Sequence, residues 1–218
     1  VVSLLWAWYY ATMKSCALIF TGGKGPLPGF DTSLIPPCSY VCAVDSGVDS
    51  ALALGYHIDE ALGDFDSISG LELLETINHT RLPQDKDVTD TEAMLKHIAN
   101  KGYDRYVLVG GGEGRFDHLL HLYTIFSTYG PPELWITACE YIYLVRNTFK
   151  KELPIHSTIS IIPSLVHGQS MVTSADLYWA LNDFPISLDS QSISNRVDKI
   201  PVTIEVSGDP IFVSTPFS

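Results

Sequence analysis

The chain has 218 residues, 46% hydrophobic and 17% charged, which is enough apolar material for a substantial core and too little charge for a disordered chain. A formal net charge of −12 at pH 7 excludes a nucleic-acid binder that works through a Lys/Arg surface. It also repels any anionic substrate unless a divalent cation bridges carboxylates and phosphates. The four cysteines, Cys16, Cys38, Cys42 and Cys139, lack zinc-finger spacing and are expected to be reduced thiols of a cytoplasmic protein. The first twelve residues, VVSLLWAWYYAT, are apolar but shorter than the roughly 20 residues of a membrane span. They also lack the basic n-region and cleavage site of a signal peptide. Residues 1–12 are expected to be a non-native or disordered extension, with Met13-Lys14 as the natural start and no membrane association.

In chain order, Cys16 to Phe20 is a buried-strand run ending at Thr21-Gly22-Gly23. Tyr40 to Val44 is a second strand, ending at Asp45-Ser46-Gly47 and followed by a short helix to Leu54. Glu60 to Leu62 leads into Gly63-Asp64-Phe65-Asp66-Ser67, and Leu71 to Ile77 reads as a helix. Thr89 with Glu92 has capping-box spacing, and Met94, Leu95 and Ile98 form the inner face of the helix it starts. Arg105 to Val109 is a strand, Gly110 to Gly114 a loop, and Leu119, Leu122, Tyr123 and Phe126 the core stripe of another helix. Strands alternating with helices predict an α/β domain with a largely parallel sheet over residues 13–147. From His156 onward the pattern changes to short strands, Thr158 to Ile162, Ile186 to Leu188, Val202 to Val206 and Ile211 to Ser214. They predict an all-β domain over residues 148–218, marginal on its own.

The polar residues worth weighing gather just past predicted strands, where ligands bind in a doubly wound sheet. Asp64 and Asp66 are two apart, so an extended segment would point both carboxylates one way, as a Mg²⁺ site needs; the plain alternative is a polar turn. Asp87 and Asp90 flank a capped helix start, where metal and phosphate can meet; ordinary capping by Thr89 and Asp90 is the alternative. Gly110 to Gly114 could line a phosphate with backbone N–H groups, although it is neither a Walker A loop nor G-x-G-x-x-G. Arg115 could clamp phosphate, and Asp117 could be a metal ligand, a general base or an N-cap. His118 is more often a loop partner than a catalytic group, and the remaining histidines form no metal-like cluster. Lys86 reads as part of a solvated turn within reach of a phosphate. Trp179 precedes a Leu-Asn-Asp-Phe-Pro turn, and Ser194-Asn195 sits in a polar loop. An aromatic face beside hydroxyl and amide groups can hold a flat cationic heterocycle.

Taken together, GDFDS at 63–67, DKDVTDTEA at 85–93 and GGGEGRFDH at 110–118 resemble, in sequence, order and spacing, the thiamine pyrophosphokinases. Ala17-Leu18-Ile19 with Gly22-Gly23, Val44-Asp45-Ser46-Gly47, Tyr178-Trp179 and Ser194-Asn195 extend the likeness from about Met13 to the C-terminus. The resemblance implies an N-terminal α/β catalytic domain, a C-terminal β-sandwich domain, and a homodimer that binds thiamine near the subunit interface. It implies transfer of the β,γ-diphosphoryl unit of ATP to thiamine, giving thiamine diphosphate and AMP. By the same likeness Asp64, Asp66 and Asp90 hold Mg²⁺-ATP, and Asp87 lies close by. Asp45, Thr89, Gly111, Gly112, Arg115 and His118 serve the nucleotide, and Asp117 lies beside the reacting groups. Trp179, Ser194 and Asn195 face thiamine. Three positions depart from the family pattern: Leu122 replaces an asparagine found in many bacterial relatives, Lys86 a common glutamine, and Asp176 a usual glycine. Two other readings use the same residues. One is a metal-dependent phosphohydrolase, the other a nucleotide-sensing binding protein without turnover.

Overall fold

The computed structural model describes residues 16–27 and 29–217, so the expectation for residues 1–12 lies outside the described residues. Among the described residues two compact units emerge: one runs up to residue 122 and takes in 135–138, the other takes in 123–134 and runs on from 139.

In the first unit, β1 (Cys16–Phe20) is buried along its whole length. That is why its sequence is an unbroken apolar run: a central parallel strand is covered on both faces. It pairs in parallel with β2 (Tyr40–Val44) on one side and β5 (Arg105–Val109) on the other. Outward from β2 come β3 (Glu60–Gly63) and the short polar edge strand β4 (His79–Arg81), both parallel. The strand order is β4-β3-β2-β1-β5-β6, with β6 at Leu134–Ile136. Helix α1 (Gly47–Ala53) buries Val48 and Ala51, and α2 (Asp90–Asn100) buries Met94, Leu95 and Ile98, the larger of these side chains each worth about 1.5–3 kcal/mol of transfer free energy. Glu60 is buried under α2, where Tyr40, His97 at 2.9 Å and Lys101 at 3.2 Å converge on its carboxylate. The capping expected at α2 is present, with the Thr89 hydroxyl accepting from the Glu92 N–H at 3.3 Å. Residues 71–77 are not an α-helix but a 3₁₀ turn, Leu71–Thr76, within which Leu74 alone is buried and for which Gly70 offers no side-chain cap.

In the second unit, strand order β12-β9-β14-β7 forms one antiparallel sheet and β11-β10-β13-β8 the other. These are β7 (Glu140–Val145), β8 (Thr148–Lys151), β9 (Thr158–Pro163), β10 (Ser170–Ser174), β11 (Leu181–Ile186), β12 (Ser192–Arg196), β13 (Val202–Gly208) and β14 (Ile211–Pro216). Ile159, Ile161 and Val213 from one sheet share a core with Val172, Val202 and Ile204 from the other, the packing of a β-sandwich. A mostly parallel α/β unit and an antiparallel sandwich thus match the expected fold class. Two local expectations are corrected. The segment Leu181 to Pro185 is strand β11, not a turn; Pro185 is tolerated because β11 pairs only with β10, at the sheet edge. Ser194-Asn195 lies in β12, not a loop, where a register shift between Ser192 and Asn195 marks a bulge and gives Ser194 φ 55°.

Candidate active site

The first cluster is built where β2 and β3 end. Asp45, directly after β2, has a left-handed backbone with φ 47°, and its carboxylate accepts from the Phe65 N–H at 3.2 Å. Gly63 is required there: a Cβ on it would fall 1.9 Å from Asp45 Oδ1. Burial pushes the Asp45 carboxyl up to about 6; the Phe65 N–H opposes this, the Asp90 and Asp64 carboxylates add to it, and Lys86 offsets it. Asp64, Asp90 and Lys86 therefore all act on Asp45, although the four come from three separate segments.

The geometry inside Gly63 to Ser67 differs from the expected extended one. Phe65 is buried with φ 58°, and the Asp66 N–H donates back to Asp64 Oδ1 at 3.2 Å. The segment is a turn, so spacing by two does not by itself aim both carboxylates one way. A bulky residue in the left-handed region is strained, and such strain gathers at functional sites. Asp64 is half-buried, while Asp66 and Asp87 are exposed. Thr89 keeps its hydroxyl on the α2 cap. Asp90, in the first turn of α2, has Lys86 at 3.0 Å from its Oδ1, an atom that is buried and accepts no hydrogen bond. Thr21 and Thr91 hydroxyls meet at 2.6 Å, tying the end of β1 to the same helix start.

The donors suit a hard dication: carboxylate oxygens, one of them buried and lacking a hydrogen bond, with a single ammonium beside them. Among the described residues, however, no three His, Cys, Asp or Glu side chains are gathered as a ready metal-holding group. The residues fit Mg²⁺ in charge and chemistry, and Lys86 sits on the buried Asp90 Oδ1.

The glycine loop after β5 is clamped by its neighbours. Gly110 N–H donates to the Ile136 carbonyl at 2.9 Å and Gly111 N–H to the Gly22 carbonyl at 3.1 Å, while the Trp135 indole donates to the Gly110 carbonyl at 2.7 Å. Two amides expected to face a phosphate thus bond within the protein. Leu122 is buried beneath Gly111, so a departure from the family pattern serves as the floor of this loop. Arg115 and Asp117, both exposed, pair through two bonds, Nε to Oδ1 at 3.1 Å and Nη2 to Oδ2 at 2.5 Å. The guanidinium holds the Asp117 carboxyl below its ordinary value, with the His118 N–H adding to the effect. Asp117 Oδ1 accepts from that His118 N–H at 3.0 Å in the first turn of α3 (Phe116–Tyr129), and His118 is exposed.

In the sandwich unit, Trp179 is 55% exposed, not a core residue. Asn195 is buried, and its amide brackets the Trp179 backbone, accepting from its N–H at 3.2 Å and donating to its carbonyl at 2.8 Å. Ser194 is exposed, its N–H bonded to Ser160 Oγ at 3.0 Å. The sequence reading missed Arg196, whose guanidinium lies 4.2 Å from the Tyr178 ring centroid and 5.1 Å from that of Trp179. Its place directly after Asn195 was the available signal.

Residues 32–133 match the family model described as thiamin pyrophosphokinase, catalytic domain, and residues 146–211 match thiamin pyrophosphokinase, vitamin B1 binding domain. The chain belongs to the thiamin pyrophosphokinase family. As a member it is an ATP:thiamine diphosphotransferase, a kinase of thiamine diphosphate biosynthesis. Solved structures agree on the fold. The thiamine pyrophosphokinase of Bacillus subtilis superposes with TM-score 0.69 at 22% identity, over 93% of this chain and 99% of that one. The family protein of Enterococcus faecalis gives 0.69 at 19%, over 94% and 100%, and the yeast thiamin pyrophosphokinase 0.65 at 16%, over 94% and 87%. No curated protein matches by sequence search. Among the described residues no helix is long and apolar enough to cross a membrane.

Proposed function

We propose that this family member performs its reaction with Mg²⁺-ATP, using Asp64, Asp66 and Asp90 as the metal-holding residues. One observation carries the reading: Asp45, Asp64 and Asp90, from three segments, share one electrostatic environment at the sheet edge. Mg²⁺ bound there supplies neutralisation of phosphate charge, the main demand of phosphoryl transfer. The residues of the chain do the remaining work. Asp87, Thr89 and Asp45 shape the nucleotide end beside the α2 N-terminus, where developing negative charge is favoured. Gly111 and Gly112 form a rigid floor, and His118 lies at the start of α3 beside it. Arg115 meets phosphate oxygens, exchanging its hold on Asp117 for them. Asp117, an exposed carboxylate ionised at neutral pH and lowered further while Arg115 holds it, acts as an acceptor beside the reacting groups and is poorly suited to be a general base.

Thiamine, a flat cation, is held by Trp179 and the Ser194 hydroxyl, while Asn195 acts through the Trp179 backbone it brackets. Catalysis and ATP binding belong to residues 13–147, thiamine binding and dimerisation to residues 148–218. Exposed Met171, Tyr178, Trp179, Leu188 and Ile193 support a homodimer, and Cys16, Cys38, Cys42 and Cys139, which form no disulfide, support a cytoplasmic location. Incubation with Mg²⁺-ATP and thiamine should release AMP and thiamine diphosphate together. ADP as the main product, or nucleotide turnover independent of thiamine, overturns the reading. Asp64→Asn should lower kcat by about a hundredfold or more with an unchanged circular-dichroism spectrum; near-normal turnover would remove Asp64 from the metal site.

A further inference from the structure

Lys86 precedes Asp90 by four residues, and its ammonium lies 3.0 Å from Asp90 Oδ1. The same nitrogen donates to the Pro83 carbonyl at 3.0 Å, which pins the side chain across the turn before α2. Both side chains are largely withdrawn from water, at 15% and 16% exposure, so this is not a loose surface pair. Yet Asp90 Oδ1 accepts no hydrogen bond; proximity of charge holds the two together, not a directed contact. The positive charge also reaches Asp45, which in turn feels Asp90 and Asp64. One ammonium therefore acts on two of these carboxylates, Asp90 in contact and Asp45 through space. A carboxylate held by charge without directional bonding is one that a doubly charged cation can win, because Coulomb attraction scales with charge.

We propose that Lys86 is a resident counter-ion of this site: it holds the Asp90 carboxylate while no metal is present, releases it when a metal–nucleotide enters, and turns its ammonium to the phosphate oxygens. The inference rests on Asp90 being a metal-holding residue. It implies an order of binding. Free Mg²⁺ has to displace an ammonium that gains nothing in return, whereas Mg²⁺-ATP brings the anion that receives it. Lys86 is a positioning residue in the metal-free protein and a phosphate contact in the complex. The switch requires only side-chain rotation about a flexible four-carbon stem.

The test is calorimetric titration of Mg²⁺ into nucleotide-free wild type, Lys86→Gln and Lys86→Arg at fixed ionic strength, with kcat and KM for Mg²⁺-ATP measured on the same preparations. Lys86→Gln should bind free Mg²⁺ about tenfold more tightly, while its KM for Mg²⁺-ATP rises about tenfold and kcat changes less. Lys86→Arg keeps the charge and should stay close to wild type in both. Should the glutamine variant fail to fold, Lys86→Met gives a second neutral side chain for the same comparison. Equal Mg²⁺ affinity in wild type and the neutral variant, or a loss of affinity for Mg²⁺ and Mg²⁺-ATP alike, overturns the inference and leaves the metal reading standing. Absence of Mg²⁺ binding to wild type even with a non-hydrolysable ATP analogue removes the metal reading, and the inference with it.

Discussion

Asp45 combines a left-handed backbone, a partly buried carboxyl and two carboxylates close enough to raise its pKa. From sequence it was one aspartate after a strand; its environment comes from Gly63, Phe65 and Asp90, which lie far along the chain. Its carboxyl stands at about 6 in the folded protein against an ordinary value of 3.8. The folded state therefore binds the proton more tightly, and stability falls as pH rises through that interval. Asp45→Asn removes the effect. In metal-free buffer the variant should be more stable than wild type by about 1 kcal/mol above pH 7, after allowance for solvent screening, and the gain should vanish near pH 4. Melting temperatures from pH 4 to 8 in chelator check this; a difference that does not change with pH would contradict it. Activity should fall in the same variant, so stability and function pull in opposite directions at this residue.

At the level of elements, the main helices and strands of the first unit were legible where the signal is local, Leu71–Thr76 being an exception. β1 is an unbroken apolar run, Thr89 caps α2, and Met94, Leu95 and Ile98 repeat at helical spacing. The misreadings came where tertiary context overrode local signs. Pro185 suggested a turn but sits on a sheet edge, and Ser194-Asn195 looked like a polar loop but is a bulged strand. The glycine loop was read as a phosphate cradle, and two of its amides, those of Gly110 and Gly111, bond within the protein to Ile136 and Gly22. Its glycines answer to packing: a Cβ on Gly112 would lie 2.3 Å from Thr137 Cγ2, and Thr137 is buried. Gly112→Ala should therefore destabilise the protein by about 1–3 kcal/mol and raise the KM for ATP, because β6 and the loop must part to admit a methyl group. A thermal melt with a KM measurement decides it; an unshifted melting temperature would show the loop to be adaptable.

For the whole molecule, division of function along the chain is not division into separable pieces. Strand β7 at Glu140–Val145 pairs along the length of β14, with Ile211 opposite Val145 and Pro216 opposite Glu140. A fragment of residues 148–218 lacks that partner and exposes one edge of β14, an invitation to aggregation. It should express as insoluble or unfolded protein, whereas a fragment that starts at Cys139 retains the pairing and should show more β-sheet circular dichroism. Comparable folding of both fragments would mean that β7 contributes little.

Composition, motif order and local periodicity determined the fold class, the helix caps and the family, because each depends on residues close in sequence or on types in fixed order. Tertiary structure alone decided which aspartates of the two clusters share a field. Asp64 and Asp90 reach Asp45 only once β2, β3 and α2 are packed, and Asp66 and Asp87 are left in solvent. It also decided that Lys86, read as a solvated turn, is the ammonium on Asp90. The reason is distance: electrostatic coupling acts through a few ångströms of space, and no spacing along the chain encodes which segments folding will bring that close.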